Sequence, residues 1–161
     1  MTTVDRRNER LIDIRLDEKS FVRRKPEVEH ERTIAIHDLL EENAFRPTGD
    51  WTGPYALVIG LIRDRLILDI RDQAHFPLSE VALPLSLFHS LVRDYLRLCE
   101  SYYDSIKKDA PSRIEAIDVG RRGLHDDGAR LLLEHLAGHV EMDFGTARRL
   151  FTLICVLHIR G

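Results

Sequence analysis

Cysteine is scarce: Cys99 and Cys155 are the only two in 161 residues. Two thiols build no disulfide framework, and they do not sit at a zinc-ligand spacing. Each falls inside an apolar periodic segment, so both are predicted to be buried, reduced and unpaired. An excess of positive charge is also missing. The 24 lysines and arginines are outnumbered by 27 acids, for a net charge of −3, which disfavours general nucleic-acid binding. No apolar run is long enough to span a bilayer. The opening MTTVDRRNERLIDIRLDE is too charged for a secretory signal. There is no HExxH, and no serine sits in a strand–turn–helix elbow. These absences predict a cytoplasmic chain with no membrane segment, no metal site and no cofactor.

What is present is ample material for a core. Apolar residues make up 43% and charged residues 32% of the chain, consistent with one domain over residues 1–161. Residues 1–10 are polar and read as loose. LIDIRLD (Leu11–Asp17) alternates as a strand does. Pro26 suits a first helical turn, with Glu27, Glu29 and Glu31 behind it, and that helix is predicted to run to about Asn43. RPTGDWTGP (Arg46–Pro54) is turn chemistry. YALVIGLI and RLILDIR joined through Arg63–Asp64 read as a hairpin, and SEVALPL adds a third strand to the meander.

The second half is helical. Ser86 is placed to cap a helix running to about Lys108, with Phe88, Val92, Tyr95, Cys99, Tyr102 and Ile106 on one face. Glu100 and Tyr103 point away from that face and can line a cleft. Ser112 and Glu115 form a capping-box pattern. Residues 114–119 fit either helix or strand. Gly123 then ends one segment, Asp126 or Asp127 caps the next, and that helix stops near Gly138. Asp143 caps a last helix, Thr146–His158. The fold class predicted is α+β: a small antiparallel sheet, made of the N-terminal strand and the meander, packed on a mainly helical C-terminal half (85–161).

Four blocks in this order, VEHERTIAIHDLLEEN, RDYLRLCESYYDSI, PSRIEAIDVGRRGLHDDGARLL and DFGTARRLFTLICVLH, resemble a family of small cytoplasmic proteobacterial proteins catalogued as an uncharacterised protein family. The resemblance spans nearly the whole chain. It implies a protein of this size and compartment and supplies no catalytic or binding residue.

The residues themselves offer four candidate sites. Arg121 and Arg122 crowd His125, Asp126 and Asp127 at the predicted helix joint, where two guanidiniums beside a helix N-terminus can hold a phosphate or carboxylate. The structural reading is a solvated cap. Arg148 and Arg149 stand in the first turns of the last helix, against its dipole. They need an acidic partner such as Asp118, Glu115, Asp143 or Glu141, or else a ligand shared with the first pair. His135 and His139 are four apart, but Gly138 intervenes and the pair is predicted to splay. Trp51 is either a lid on the meander or an anchor for a partner.

The first functional reading is a non-catalytic binding or regulatory protein that acts through a protein partner, with room for a small anion at Arg121, Arg122, Arg148 and Arg149. The alternative is a small enzyme on a phosphorylated or carboxylated substrate, with His125 as acid or base oriented by Asp126 or Asp127. Self-association as a homodimer, through the apolar last helix or a sheet edge, accompanies the first reading.

Overall fold

The computed structural model describes residues 8–17, 19–21, 26–108 and 110–158. Its elements in chain order are β1 (Leu11–Leu16), α1 (Pro26–Glu41), β2 (Phe45–Pro47), β3 (Tyr55–Ile62), β4 (Arg65–Asp72) and β5 (Pro77–Pro84). After a 3-10 turn at Leu85–Leu87 come α2 (His89–Lys107), α3 (Pro111–Leu136), β6 (Val140–Met142) and α4 (Phe144–His158). The α+β reading holds, with a sheet-bearing first half and a helical second half.

The sheet order is β1-β3-β4-β5. β3 and β4 pair across a two-residue turn, with Arg63 at φ 58, and β5 completes the antiparallel meander. β1 corrects the prediction of an all-antiparallel sheet, because it lies parallel to β3. The reason is the connection: α1 intervenes between the two strands, and a helical crossover returns the chain in the same direction. Residues 8–10 correct a second reading. The Glu9 and Arg10 carbonyls accept hydrogen bonds from the Phe45 and Tyr55 N–H groups at 2.8 and 2.9 Å, so this stretch is tied down. Residues 1–7 lie outside the described residues.

The helical layer differs most at α3. A single 26-residue helix replaces the two predicted segments. Gly120 and Gly123 cost it about 1 kcal/mol each in propensity, and packing between α2 and α4 outweighs that. Residues 114–119 are helical. Ala110 is the N-cap, Pro111 takes the first turn, and no side chain caps the end, so the Ser112–Glu115 capping box is unused. Ser86 likewise lies inside the 3-10 turn, and α2 starts behind Phe88. The chain leaves α3 through Gly138 at φ 84. It then forms β6, which pairs with β2 in a second, two-stranded sheet that the periodicity did not announce.

α4 is the centre of the core. Leu150, Phe151, Leu153, Ile154, Cys155 and Leu157 are all buried by their own chain. Asp143 caps it as predicted, its carboxylate accepting from the Thr146 N–H at 2.8 Å. The apolar surplus that suggested a homodimer through this helix is therefore covered internally. The apolar row of α2 is buried at its start, at Phe88 and Val92, half-buried at Tyr95, Cys99 and Tyr102, and open at Ile106. This row thus opens towards the end of α2, where Ser105 on another face is still fully buried.

Candidate functional site

With α3 continuous, the arginine-rich helix joint does not exist. There is no free helix N-terminus at Asp126 to cradle an anion, and the charges there are arranged as pairs along one helix and its neighbour. Arg121 lies 3.3 Å from Asp118 and its guanidinium covers the Tyr102 ring at 5.4 Å. Arg148 Nε is 3.0 Å from Asp126. Arg149 reaches Glu42, 3.3 Å from its carboxylate, and donates to its carbonyl at 3.1 Å. Asp127 pairs outward with Arg130 at 3.0 Å. Arg122 is exposed. One arginine of each pair, Arg121 and Arg148, flanks His125, while Arg122 and Arg149 face elsewhere.

His125 is enclosed rather than presented. Its ring stacks on Tyr95 at 5.1 Å and meets the edge of Phe151 at 6.3 Å. Among the described residues, its buried Nε2 has no hydrogen-bond partner. Burial first, then the positive charges of Arg148 and Arg121, hold its pKa down at about 4, with Asp126 opposing. Asp126 faces Arg148, so it does not orient the imidazole as an acid–base partner would.

A pH dependence follows from this enclosure. The unfolded imidazole binds a proton near pH 6.5 and the folded one only near 4, so the contribution is complete above about 6.5. It is lost as the pH falls from there towards 4. Because the ring is only partly shielded from solvent, roughly 1–2 kcal/mol is expected rather than the full shift. His125→Phe is expected to flatten the denaturation free energy across this window. An unchanged slope would show that the ring is not held neutral.

A separate concavity lies elsewhere. α1 and α2 stand apart over α4 and leave a groove of about 650 Å³. Ile34 and Ala35 of α1 form one wall; Tyr95, Leu96, Cys99 and Tyr103 of α2 form the other; Thr152 and Val156 of α4 lie at the floor. Ile34 is 46% and Tyr103 62% exposed. The polar rim carries Glu31, Asp38, Glu100 and Arg121. Glu100 and Tyr103 thus line a cleft, as their position on α2 suggested. The α1 wall was not anticipated, because its acids read as compensation for the helix dipole. The only signal was Glu31 and Asp38 two turns apart, bracketing Ile34.

Cys99 sits half-buried on the groove wall, while Cys155 is fully buried and both are free thiols. Burial raises the Cys99 pKa, with a hydrogen bond to Tyr95 opposing it, and raises that of Cys155 further. Both thiols are therefore unreactive by charge, and access separates them. A maleimide is expected to label Cys99 slowly and Cys155 only on unfolding. Fast labelling of Cys155 would contradict the packing of α4.

Trp51 is 36% exposed and its ring lies over Gly49, where an added Cβ would come within 2.7 Å of it. Its carbonyl accepts a hydrogen bond from the Tyr55 hydroxyl at 3.1 Å. It is not among the residues that line the groove. His135 lies in the last turn of α3 and His139 beyond its end. Among the described residues, no group of three or more His, Cys, Asp or Glu side chains is placed to hold a metal ion. None of the described helices is long and apolar enough to cross a membrane.

No solved structure matches the chain significantly. Relatives match along nearly their whole length. A UPF0262 protein of Paramagnetospirillum magneticum is 60% identical over 95% of this chain and 98% of its own. One from Rhodospirillum rubrum is 58% identical, over 94% and 93%. One from Brucella anthropi is 54% identical over 96% of each. The profile of that family covers residues 8–160, and the chain belongs to UPF0262, an uncharacterised protein family.

Proposed function

We propose that this is a cytoplasmic, non-catalytic binding protein that acts by engaging a protein partner through the groove between α1 and α2. The observation that carries the reading is the groove itself: apolar walls on two splayed helices, with Ile34 and Tyr103 open to solvent above a concave floor. Open apolar surface rimmed by charge is the usual mark of a recognition surface. Two free thiols suit a reducing compartment. A bound anion at the arginines draws less support, because Arg121, Arg148 and Arg149 each already face a carboxylate. A catalytic His125 draws less support, since a base must reach its substrate and this ring packs between Tyr95 and Phe151 with only part of it open to solvent.

The test places a photo-reactive side chain at Tyr103 and, as a control, at Arg122. In an extract of the native host, a discrete protein adduct is expected from position 103 and not from 122. No adduct at 103, or the same adducts at both, would remove the groove as the recognition surface.

A further inference from the structure

The charge on the groove narrows its occupant. Glu31, Asp38 and Glu100 rim it, all exposed, and none has an ion-pair partner among the described residues. Among the described residues the one base at the rim, Arg121, faces Asp118. Beyond Asp38 the surface continues into a second depression of about 480 Å³, lined by Asp38, Glu41, Glu42 and Arg149. There Arg149 is already paired with Glu42. Glu41 faces His37 at 3.7 Å. Among the described residues, the α1 side is therefore an acidic border on an apolar trough, and the charge left unpaired on its rim is negative.

The trough also has a length and a direction. Its walls and floor are helices, and its α1 border runs along the helix from Glu31 to Glu41, with Glu42 just past its end. Glu31 and Asp38 are seven residues apart, about 10 Å along the helix axis. A compact small molecule fills one depression, whereas a segment lying beside α1 uses both.

We propose that the occupant is a basic amphipathic α-helix of a partner protein. Its apolar stripe lies on Ile34, Leu96 and Val156, and lysines or arginines at positions i and i+7 stand opposite Glu31 and Asp38. This inference rests on the reading of the groove as a protein-binding surface. It adds the partner's secondary structure and charge. Helix-in-groove recognition needs an apolar stripe at i, i+3, i+4 and i+7, the spacing a trough between two helices accepts. The carboxylates select the flanking charge and orient the helix.

The probe is a labelled synthetic helix of leucine and lysine, about five turns long, with leucines on one stripe. Two control peptides accompany it: the same residues in scrambled order, and the same pattern with glutamate for lysine. Anisotropy is expected to show the patterned basic peptide binding about tenfold or more tightly than either control. Glu31→Lys/Asp38→Lys/Glu100→Lys is expected to lose that peptide by about tenfold and to gain the acidic one. Tyr103→Ala weakens the basic peptide without changing charge, and it decides the matter if the triple variant does not fold. Equal binding of patterned and scrambled peptides would overturn the proposal, as would a triple variant that binds like the parent. Sedimentation at twice the chain mass, with no peptide bound, would assign the trough to a second copy and overturn it as well. A Tyr103 adduct in the extract without peptide binding refutes the basic helix alone. Loss of both refutes the groove.

Discussion

Gly128→Ala is expected to cost roughly 3 kcal/mol of stability, the upper part of the range for overpacking a closed core. On an exposed helix the same change would stabilise by up to about 1 kcal/mol, because alanine is the better helix former. Here the sign reverses through contact. A Cβ at Gly128 would lie 2.3 Å from Cγ of Phe151. That ring is fully buried, 6.5 Å from Phe88 and 6.3 Å from His125, so it has nowhere to retreat. Gly123 supplies the internal control. It lies on the same helix with nothing within 4 Å of its Cβ position, and Gly123→Ala is expected to stabilise by about 0.5–1 kcal/mol. Chemical denaturation of both variants reads the difference directly. A neutral Gly128→Ala would mean that α3 and α4 do not approach as closely as described. Gly128→Ala/Phe151→Leu is expected to recover part of the loss, because the two changes share one contact and do not add.

Gly128 also explains why α3 was hard to read. Gly123 looks like the end of one helix, and the aspartates behind it look like a cap for the next. Those are local rules, and they carry only about 1 kcal/mol per residue. Tertiary packing outweighs them: Gly128 marks a close approach to Phe151, and Asp126 is held by Arg148 from another helix. The hairpin at Arg63–Asp64 and the α4 cap at Asp143 were legible because their cause is local. β1 was legible as a strand from its alternation. Its direction was not, since that depends on where a long crossover delivers the chain. The β2–β6 sheet was invisible because two three-residue strands, Phe45–Pro47 and Val140–Met142, are too short to show a period.

The candidate site divides in the same way. The arginines, the histidine and the aspartates drew attention as a cluster in sequence, and in space they largely neutralise one another. The groove is built from carboxylates and apolar residues of α1 and α2 that no local motif joins. Glu100 and Tyr103 stood out because a helical face places them away from the core row. Their counterparts Ile34 and Asp38 became visible only when α1 and α2 were set side by side over α4.

Asn43 makes the second large prediction, at the point where α1 is fastened to the sheet. Its Oδ1 accepts the Leu11 N–H at 2.7 Å, and its Nδ2 donates to the carbonyls of Leu11 at 3.0 Å and Leu39 at 2.9 Å. One side chain thus joins the end of α1 to the start of β1. The next residue continues the seam, with the Ala44 N–H donating to Thr146 of α4 at 2.8 Å. Asn43→Ala removes three hydrogen bonds and leaves partly buried backbone groups without partners, an expected loss of roughly 2–4 kcal/mol. Asn43→Asp separates this from a mere change in shape. At neutral pH the carboxylate keeps the acceptor but turns a charge towards two carbonyl oxygens, so it is expected to be at least as damaging as alanine. The carbonyls raise the folded-state pKa of such a carboxyl, and a raised acid pKa means that folding favours the protonated form. Asn43→Asp should therefore regain stability relative to the parent as the pH falls through the carboxyl range, while Asn43→Ala should not. Denaturation midpoints of the three proteins at neutral and mildly acidic pH decide it. Parallel behaviour of the two variants would show that Asn43 fills space there without bridging the two elements.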